Sequence, residues 1–431
     1  MYKPKMQLTP EQQGILDGKE GETKGKMMET IVRLGDMFEA PRLAKVTHQE
    51  GHLVSSFGIG LLVAMYPLMD KLIAAGVKAP EGFTVDPRPY DFENVKCSPL
   101  EKLVFTKIIY SKQNQYEEQL AKLGLKSKDG FTCACYFPEV GNTPKKGEIL
   151  SWAESSAVVY ANSVLGARCN RNSGILDLFG TIIGYVPEFG FLTDEGRKAT
   201  WKIIVKTSKL PEAQILGSAI GIKVQEKVPF VEGLDKWLKP LPDEDTVAFL
   251  KDFGAATASN GAVGLYHIEG ITPEAKETGE ALLKSDAQTY VIDDAEIERV
   301  YKNYPILWKN KNKVGNRCFI GCPHLTYHQL ETWTDRISNE LKRKGRKKVI
   351  VQTVLTTAPE VAAKFRATPK YQELLATGCH LSSICPLMYA DSPLSSMHRM
   401  MTNSNKLRTY TSARYYKDAE ILGIITGKEK K

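Results

Sequence analysis

The sequence predicts an α/β fold in which mostly parallel sheets are flanked by helices. From Glu296 to Leu355, strand-like and helix-like patterns alternate, as they do in chains that build parallel sheets. The 431 residues, 42% of them apolar, are too many for one ordinary domain and suit two or three compact lobes. Because no repeat or low-complexity linker separates these lobes, 1–431 is taken as one region whose internal boundaries the sequence does not define.

The N-terminal part should open with two helices. Thr9 is suited to cap the first one, with Pro10 as its first residue and Gln12 as the reciprocal capping residue. A second helical pattern covers Lys26 to Phe38. Strand ends or loops are predicted at 45–46, 84–85 and 130–136.

The C-terminal part shows both kinds of element. Small residues and isoleucines in 208–226 are typical of tightly packed helix and sheet layers, and 261–267 resembles a buried strand before a helix start at Thr272. An amphipathic helix is then predicted to precede a left-handed cap at Gly345 and a buried strand over 349–355. The apolar residues of that helix are Leu330, Trp333, Ile337 and Leu341.

The net charge of the chain and the distribution of its basic residues exclude few classes of function. The net charge of +8 suits an anionic substrate, but a mildly basic surface is also common in proteins that bind none. The densest basic run, 342–348, ends the amphipathic helix and so complements the helix dipole. No aromatic residues interleave with these cations, which disfavours nucleic-acid binding.

Secretion and membrane insertion are not predicted. The first twenty-five residues are polar, and the longest apolar stretch, 58–69, contains Pro67 and is too short to span a bilayer. We therefore expect a cytoplasmic protein. In a reducing compartment its eight cysteines are thiols or metal ligands rather than disulfides.

Three cysteine-bearing segments have the character of loops at strand ends: 132–135, 321–324 and 383–386. Proline follows the cysteine in the last two, which frees the thiolate from helix or sheet pairing. Thiolates held by distant loops are typical of iron–sulfur sites, and no pair has the spacing of a structural zinc site. On spacing alone, the alternative that these cysteines are small core residues stays open.

The segment 141–174 carries the densest polar pattern. Ser151 and Glu154 have the spacing of a capping box, which predicts a helix start with Ser155 and Ser156 in the first turn. Past the helix, a short loop holds two guanidiniums suited to bidentate carboxylate binding; its polar residues are Arg168, Asn170 and Arg171. In the alternative interpretation, Glu154 only caps the helix and the arginines only solvate the surface.

Residues 152–174, WAESSAVVYANSVLGARCNRNSG, closely resemble a motif of the aconitase X family. Shorter landmarks of that family follow in the same order along nearly the whole chain: His48 with Gly51, Cys135 with Gly141, 267–275, 321–324 and 402–406. The resemblance implies an aconitase-like, multi-lobed architecture with the active site between lobes. It also implies a hydro-lyase that removes water from a small hydroxy-carboxylate.

The resemblance further implies an iron–sulfur cluster, 4Fe–4S or 2Fe–2S, in which an iron without a protein ligand acts as Lewis acid on the departing hydroxyl. By motif its ligands are Cys135, Cys322 and Cys385, because Cys135 keeps the family's six-residue step to Gly141. His324 and His48 are candidates for proton handling. The residues expected to bind substrate are Glu154, Ser155, Ser156, Asn162, Arg168, Asn170, Arg171, Ser404 and Lys406.

In this family the catalytic base resembles a serine on a small swivelling domain with a Gly-Ser motif, which this sequence lacks. A separate small subunit is therefore expected as partner, with no nucleic acid or membrane involved.

The substrates attached to the family are cis-3-hydroxy-L-proline and mevalonate 5-phosphate. Where the family usually has Pro-Thr-Thr-x-Asn-Pro, this chain reads Phe83-Thr84-Val85-Asp86-Pro87. This departure and those at Cys169 and before Cys385 leave room for a third hydroxy acid, or for loss of activity.

Two rival functions fit parts of the pattern. A zinc-dependent hydrolase would use Cys135, Cys322 and His324, and a cluster-free scaffold subunit would need only to bind a partner. A brown, oxygen-sensitive chromophore after anaerobic purification distinguishes an iron–sulfur protein from a colourless zinc protein.

Overall fold

The computed structural model describes residues 2–54 and 58–428. Its α-helices are α1 Pro10–Leu16, α2 Glu22–Met37, α3 Met65–Ala74, α4 Pro99–Val104, α5 Gln113–Leu123, α6 Ser155–Tyr160, α7 Gly174–Ile183, α8 Ala213–Val224, α9 Glu244–Gly261, α10 Pro273–Thr278, α11 Asp294–Lys302, α12 Tyr327–Arg343, α13 Pro359–Arg366, α14 Pro369–Ala376, α15 Pro386–Ala390, α16 Asn405–Tyr410 and α17 Asp418–Thr426. Short π or 3₁₀ segments lie at Phe105–Ile109, Ala161–Leu165, Gly190–Leu192, Glu195–Arg197, Gly279–Leu282 and Ser395–Met397. Within residues 2–54 and 58–428, no helix is long and apolar enough to cross a bilayer.

The strands are β1 Leu43–Lys45, β2 Gly51–Leu53, β3 Phe83–Val85, β4 Tyr185–Pro187, β5 Ala199–Val205, β6 Pro229–Glu232, β7 His267–Ile268, β8 Leu283–Ile292, β9 Arg317–Leu325, β10 Gln352–Thr357, β11 His380–Ser382, β12 Met400–Thr402 and β13 Arg414–Tyr415. The larger sheets are a five-stranded one, in the order β11-β10-β9-β12-β13, and a four-stranded one, in the order β7-β6-β5-β8. Every strand pair in both is parallel, as is the pair β2–β3, whereas β1 and β4 pair antiparallel. The predicted α/β class with mostly parallel sheets is confirmed.

Several helix starts are confirmed. The Thr9 side chain accepts from the Gln12 amide and the Gln12 side chain accepts from the Thr9 amide, which is the predicted capping box. The predicted amphipathic helix is α12, whose four apolar residues are all buried. Gly345 follows it with φ +63°, the left-handed conformation that glycine adopts without strain.

Two local predictions are wrong. Ser151 does not cap a helix, because its hydroxyl donates to the Asp177 carbonyl at 2.8 Å; Glu154 itself caps α6 by accepting from the Ala157 amide. The predicted strand over 261–267 shrinks to β7, since α9 continues to Gly261. A Cβ on Gly261 would lie 2.0 Å from the Gly221 carbonyl oxygen of α8, so the small residues there serve helix–helix packing rather than a strand.

Strand β9 lies at the centre of the five-stranded sheet, and all nine of its residues are buried. Ile320 pairs with Leu355 and Leu325 pairs with Thr357, so 321–324 oppose a single residue of β10 and bulge out of the sheet. The loops after β11 and β12 leave from the same carboxyl edge. In parallel α/β sheets this edge is where ligands bind, and it is where the polar residues described next converge.

Candidate active site

A cavity of about 390 Å³ lies at the carboxyl edge of the five-stranded sheet. Its polar lining consists of the thiols of Cys133, Cys322 and Cys385 together with Asp86, Glu154, Ser155, Asp391 and Lys406. Its apolar lining includes Val54, Pro87, Leu387, Met388 and Tyr410. The cavity therefore combines three thiols, three carboxyls and one ammonium in a space that suits a small organic acid.

Local breaks in regular structure place the three thiols. Cys322 lies in the 321–324 bulge, where Gly321 has φ +111° and a Cβ would come within 2.4 Å of the Thr356 carbonyl oxygen. Cys385 is the last residue before α15, which begins at a proline. Cys133 lies in the loop that follows an isolated bridge between Phe131 and Val85. Each thiol is thus presented by a loop or bulge rather than locked into a ladder or helix.

The imidazole of His324 joins the three thiol-bearing loops. Its Nδ1 lies 2.9 Å from the Thr132 hydroxyl, next to Cys133, and its Nε2 lies 3.2 Å from the Ile384 carbonyl oxygen, next to Cys385. His324 is also two residues from Cys322. Because a carbonyl only accepts, we assign the proton to Nε2, which leaves Nδ1 to accept from the Thr132 hydroxyl. Burial lowers the pKa of His324 to about 4, so the ring is neutral.

This arrangement changes the role predicted for His324. Both ring nitrogens are engaged with protein groups and the residue has no exposed surface. A proton carrier needs a nitrogen that can reach substrate or water. In the folded chain the two ring nitrogens of His324 therefore bridge the thiol loops and are not free for proton transfer.

A buried ion pair stands opposite the thiols. The Lys406 ammonium lies 2.5 Å from Glu154 Oε1, 3.3 Å from the Ser156 hydroxyl and 3.4 Å from the Ser155 hydroxyl. Burial opposes ionisation of Glu154, but Lys406 and the hydrogen bonds from Ser156 and Ala157 bring its pKa down to about 2. Although burial disfavours the ammonium, Glu154 holds the pKa of Lys406 above its usual value. The pair is charged on both sides.

Cys135, predicted as a ligand, is fully buried in the main hydrophobic core and does not line the cavity. Cys133 lines the cavity instead, together with Cys322 and Cys385. Among residues 2–54 and 58–428, no three ligand atoms that include a thiol lie within 4.8 Å of one another. Ligands of one tetrahedral zinc ion stand about 4 Å apart, so this spacing does not suit the zinc site of the rival interpretation.

Three family models match consecutive parts of the chain. The aconitase X first domain matches residues 5–195, the second domain 199–302 and the third domain 316–423. The chain belongs to the aconitase X family.

Named relatives of this aconitase X are dehydratases. The large subunit of phosphomevalonate dehydratase from Thermococcus kodakarensis is 30% identical over 410 residues, which is 94% of this chain and 95% of that protein. The cis-3-hydroxy-L-proline dehydratase of Pseudomonas aeruginosa is 25% identical over 96% of this chain and 67% of its own length. The crystal structure of T. kodakaraensis aconitase X in its holo form superposes with a TM-score of 0.78, at 28% identity over 97% and 99% of the two chains. The chain is accordingly a hydro-lyase of the dehydratase type.

Two residues of the site, Asp86 and His52, were not predicted from the sequence. Asp86 and His52 are buried, and Asp86 Oδ1 and His52 Nε2 have no hydrogen-bond partner. Ligand atoms of these two residues and Glu154 lie within 4.8 Å of one another. Burial raises the pKa of Asp86 well above its usual value and lowers that of His52 to about 4. The only signal was the Asp in a loop where the family usually has Asn.

The predicted arginine loop does not reach the cavity. Arg168 donates to the Leu192 carbonyl at 2.8 Å and pairs with Asp194 at 2.5 Å. Arg171 donates to the Ala262 carbonyl, and the Asn170 side chain bonds the backbone of Phe189 and Phe191. These side chains satisfy neighbouring backbone, so the structure gives no support for carboxylate binding by Arg168, Asn170 or Arg171.

Of the other residues predicted to act in the site, some bond neighbouring backbone, some lie outside the cavity, and three line it. Asn162 bonds the backbone of Cys169 and Gly264, and His48 contacts Asn142 at 2.8 Å and Glu148 at 3.2 Å, outside the cavity. Ser404 caps α16 through the Leu407 amide. Ser156 is buried behind the ion pair, leaving Glu154, Ser155 and Lys406 as the predicted substrate residues that line the cavity.

Proposed function

We propose that this aconitase X chain carries an iron–sulfur cluster on Cys133, Cys322 and Cys385 and eliminates water from a small hydroxy acid held beside Lys406. The observation that carries the proposal is one cavity at which three thiols from separate loops face a buried, charged ammonium. When bound, such a cluster supplies a Lewis acid for the departing hydroxyl.

The chemistry of the three thiols fits a cluster better than a single ion. Cysteines that ligate different irons stand farther apart than ligands of one ion, in keeping with the absence of any thiol trio within 4.8 Å among 2–54 and 58–428. Burial raises the pKa of each thiol, so metal rather than solvent must drive their deprotonation. The nearby Lys406 charge opposes that rise at Cys322 and Cys385. The family motif favours Cys135 over Cys133; the cavity favours Cys133.

The charge of the cavity favours a substrate with a cationic nitrogen. Three carboxyls, Asp86, Glu154 and Asp391, line it against the single ammonium of Lys406. Glu154 is already paired, but Asp86 Oδ1 is buried without a partner. A substrate ammonium would donate to Asp86 Oδ1, and its positive charge would favour the ionised form of that carboxyl. A cyclic hydroxy amino acid, the substrate class named for the Pseudomonas aeruginosa relative, therefore fits this chain.

Mevalonate 5-phosphate is the second candidate, because the relatives with 29–30% identity over 94% of this chain are named phosphomevalonate dehydratase large subunits. A phosphate carries about two negative charges near neutral pH. In the cavity it would meet unpaired Asp86 and Asp391, so this substrate requires cations supplied from outside the lining given above.

The residues of the chain divide the work of elimination. The Lys406 ammonium, with the Ser155 hydroxyl beside it, binds the substrate carboxylate and stabilises the charge that builds up there as the α-proton leaves. Glu154 fixes Lys406, and His324 fixes the thiol loops. Because the catalytic base of the family resembles a serine on a small domain, we assign proton removal to a serine of a small partner subunit.

An apolar surface beside the cavity mouth suits that partner. Leu61 and Val63 are 88% and 73% exposed, and with Leu62, Met65, Leu68 and Ile175 they line a shallow depression of about 350 Å³. Val54 belongs to the cavity lining and approaches Gly174, next to Ile175, so the depression adjoins the cavity. The large-subunit names of relatives, and the third of the Pseudomonas relative that this chain does not cover, support a small partner docked here.

The test is reconstitution under anaerobic conditions. The chain is purified with its small partner, and product is measured from cis-3-hydroxy-L-proline and from mevalonate 5-phosphate, with the chain alone and with the pair. We expect iron and inorganic sulfide in the chain, activity only in the pair, and preference for the amino acid. Colourless, iron-free chain that still binds the partner would instead establish the scaffold function. Activity restricted to the phosphate ester would overturn the substrate assignment alone.

The docking surface has its own test. Leu61→Asp with Val63→Asp should weaken partner binding in a pull-down or titration, whereas Leu375→Asp, at an exposed apolar position on α14, should not. Equal binding by all variants would move the partner to another face.

A further inference from the structure

A second, larger cavity, of about 560 Å³, lies away from the active site. Helices α8 and α11, strand β8 and the chain after α11 form one side, all within or next to the second matched domain. Arg408 of α16, in the third matched domain, closes the other side. Ligands often bind between domains, because such clefts combine enclosure with residues from two units.

Arg408 is nine-tenths buried, and no carboxylate among the described residues pairs with it. Its Nε and Nη2 donate to Asn405 Oδ1 at 2.9 and 2.7 Å, and Nη2 also donates to Asn260 Oδ1 at 2.8 Å. Nη2 also donates to the Thr409 hydroxyl at 3.0 Å. Within 2–54 and 58–428, no acceptor bonds Nη1 and no carboxylate lies within the ion-pair range of 4 Å. The guanidinium rests on the Tyr304 ring, 4.2 Å from its centroid. A buried cation without an anion is costly, so an anion in the cavity would stabilise it.

Lys223 supplies a second cation on this cavity; its side chain is exposed, and its charge acts on Glu296. Its ammonium lies 5.5 Å from the centroid of Trp201 and 5.6 Å from that of Tyr290, with no carboxylate in ion-pair range in the described parts of the chain. The carboxylate on this cavity, Glu296, is already engaged by Arg299 at 2.6 Å. Arg408 and Lys223 are thus two cations on this cavity without a salt bridge to any residue of 2–54 or 58–428.

We propose that this cavity binds a small phosphorylated molecule whose phosphate lies between Arg408 and Lys223. These two cations match the roughly two charges of a phosphate near neutral pH, and a guanidinium binds phosphate through paired N–H donors. Tyr290 and Tyr304 offer rings for the rest of the ligand.

Helix α16 connects this ligand to catalysis. It presents Arg408 to the second cavity and Lys406 and Tyr410 to the active site. The ligand would therefore alter the position of Lys406; this part of the inference rests on the proposed function, whereas binding does not.

Calorimetric titration of the purified chain with inorganic pyrophosphate tests the binding. We expect saturable binding that Lys223→Met and Arg408→Gln each weaken by roughly tenfold, about one charge-assisted hydrogen bond. Lys227→Met, which removes an exposed lysine from the same region, is the matched control and should leave affinity unchanged. The paired change Lys406→Met with Glu154→Gln should also retain binding, since the active-site charges are then gone. Lys223→Met tests the idea even if Arg408→Gln folds poorly.

No binding to the native chain, or equal affinity across Lys223→Met and Lys227→Met, would overturn the site. Binding abolished only by the Lys406 pair would place pyrophosphate in the active site and also overturn it. In the reconstituted dehydratase, pyrophosphate should change KM at least about twofold, and Lys223→Met should remove that effect. Binding without any such change would overturn the connection through α16.

Discussion

The motif of residues 152–174 has two polar ends, and the two differ in where they lie relative to the active-site cavity. At one end Glu154 is buried in the cavity wall and paired with Lys406. At the other end Arg168 lies outside the cavity, and its backbone bonds Glu148 and Leu150, the residues that lead into Glu154. Under the proposed function the first end contacts the substrate, whereas the second end hydrogen-bonds the segment that leads to Glu154. A run of similar sequence can therefore mark a site and its support together, and contacts are needed to separate them.

The largest effect should come from the Glu154 end. Lys406→Met combined with Glu154→Gln removes both charges, so that no buried carboxylate is left unpaired. We expect turnover of the reconstituted dehydratase to fall about a hundredfold or more, because substrate loses its charge-assisted contact in both ground and transition state. Unchanged near-ultraviolet circular dichroism would show that the fold persists. A rate within threefold of the native one would remove Lys406 from the mechanism.

The same contrast exists between two cysteines two residues apart. Cys133→Ser should lose most of the iron and sulfide of the anaerobically purified chain, since a hydroxyl is a poor ligand for this iron. Cys135→Ser, a change in the core, should keep them. Elemental analysis checks both, with Cys322→Ser and Cys385→Ser as positive controls. The reverse pattern would return the ligand to Cys135.

Glu212, a largely buried glutamate with no lysine in salt-bridge range among the described residues, sharpens the comparison with Glu154. Glu212 accepts from the Tyr415 hydroxyl and the Asp418 amide, and burial raises its pKa to about 7. Because the folded pKa exceeds the unfolded value near 4.5, its stabilising effect is complete below pH 4.5 and is lost as pH rises through 7. The free energy of unfolding should fall by about 2–3 kcal/mol across this window.

Urea titrations between pH 4.5 and 8 measure that slope. Glu212→Gln should reduce this slope, leaving the dependence that comes from Asp177, whose pKa burial raises from 3.8 to about 7. An identical slope in the variant would show that Glu212 ionises in the folded chain as it does unfolded.

The smallest effect is expected at the Arg168 end. If Arg168 bound a substrate carboxylate, Arg168→Lys would cost roughly tenfold in turnover, the scale of one charge-assisted hydrogen bond. Because the side chain bonds Leu192 and Asp194 outside the cavity, we expect a change of less than about threefold. The steady-state rate and KM of the reconstituted enzyme distinguish the two.

Much of the fold was predictable because local signals and tertiary packing agree there. The Thr9 capping box and the apolar face of α12 are examples. The Ser151 cap failed because a tertiary partner, the Asp177 carbonyl, took its hydroxyl. In the site, Cys322, Cys385, Glu154 and Lys406 followed from the motif, whereas Cys133 and Cys135 differ only in which way a loop turns. His52 lies on β2 and Asp86 directly follows β3, both far from the motif in sequence, and their meeting with Glu154 depends on the assembled fold.

The contacts of His324 bear on how the enzyme matures. They join the three thiol loops through protein hydrogen bonds, without requiring a metal to gather them. In many small metalloproteins the ligands meet only when the ion arrives, and removing it unfolds the chain. Under the proposed function, the fold itself brings the thiol loops together, so a cluster would enter an already folded apoprotein, and its loss to oxygen would leave the fold intact. Damage of that kind is repairable by reinsertion rather than by new synthesis.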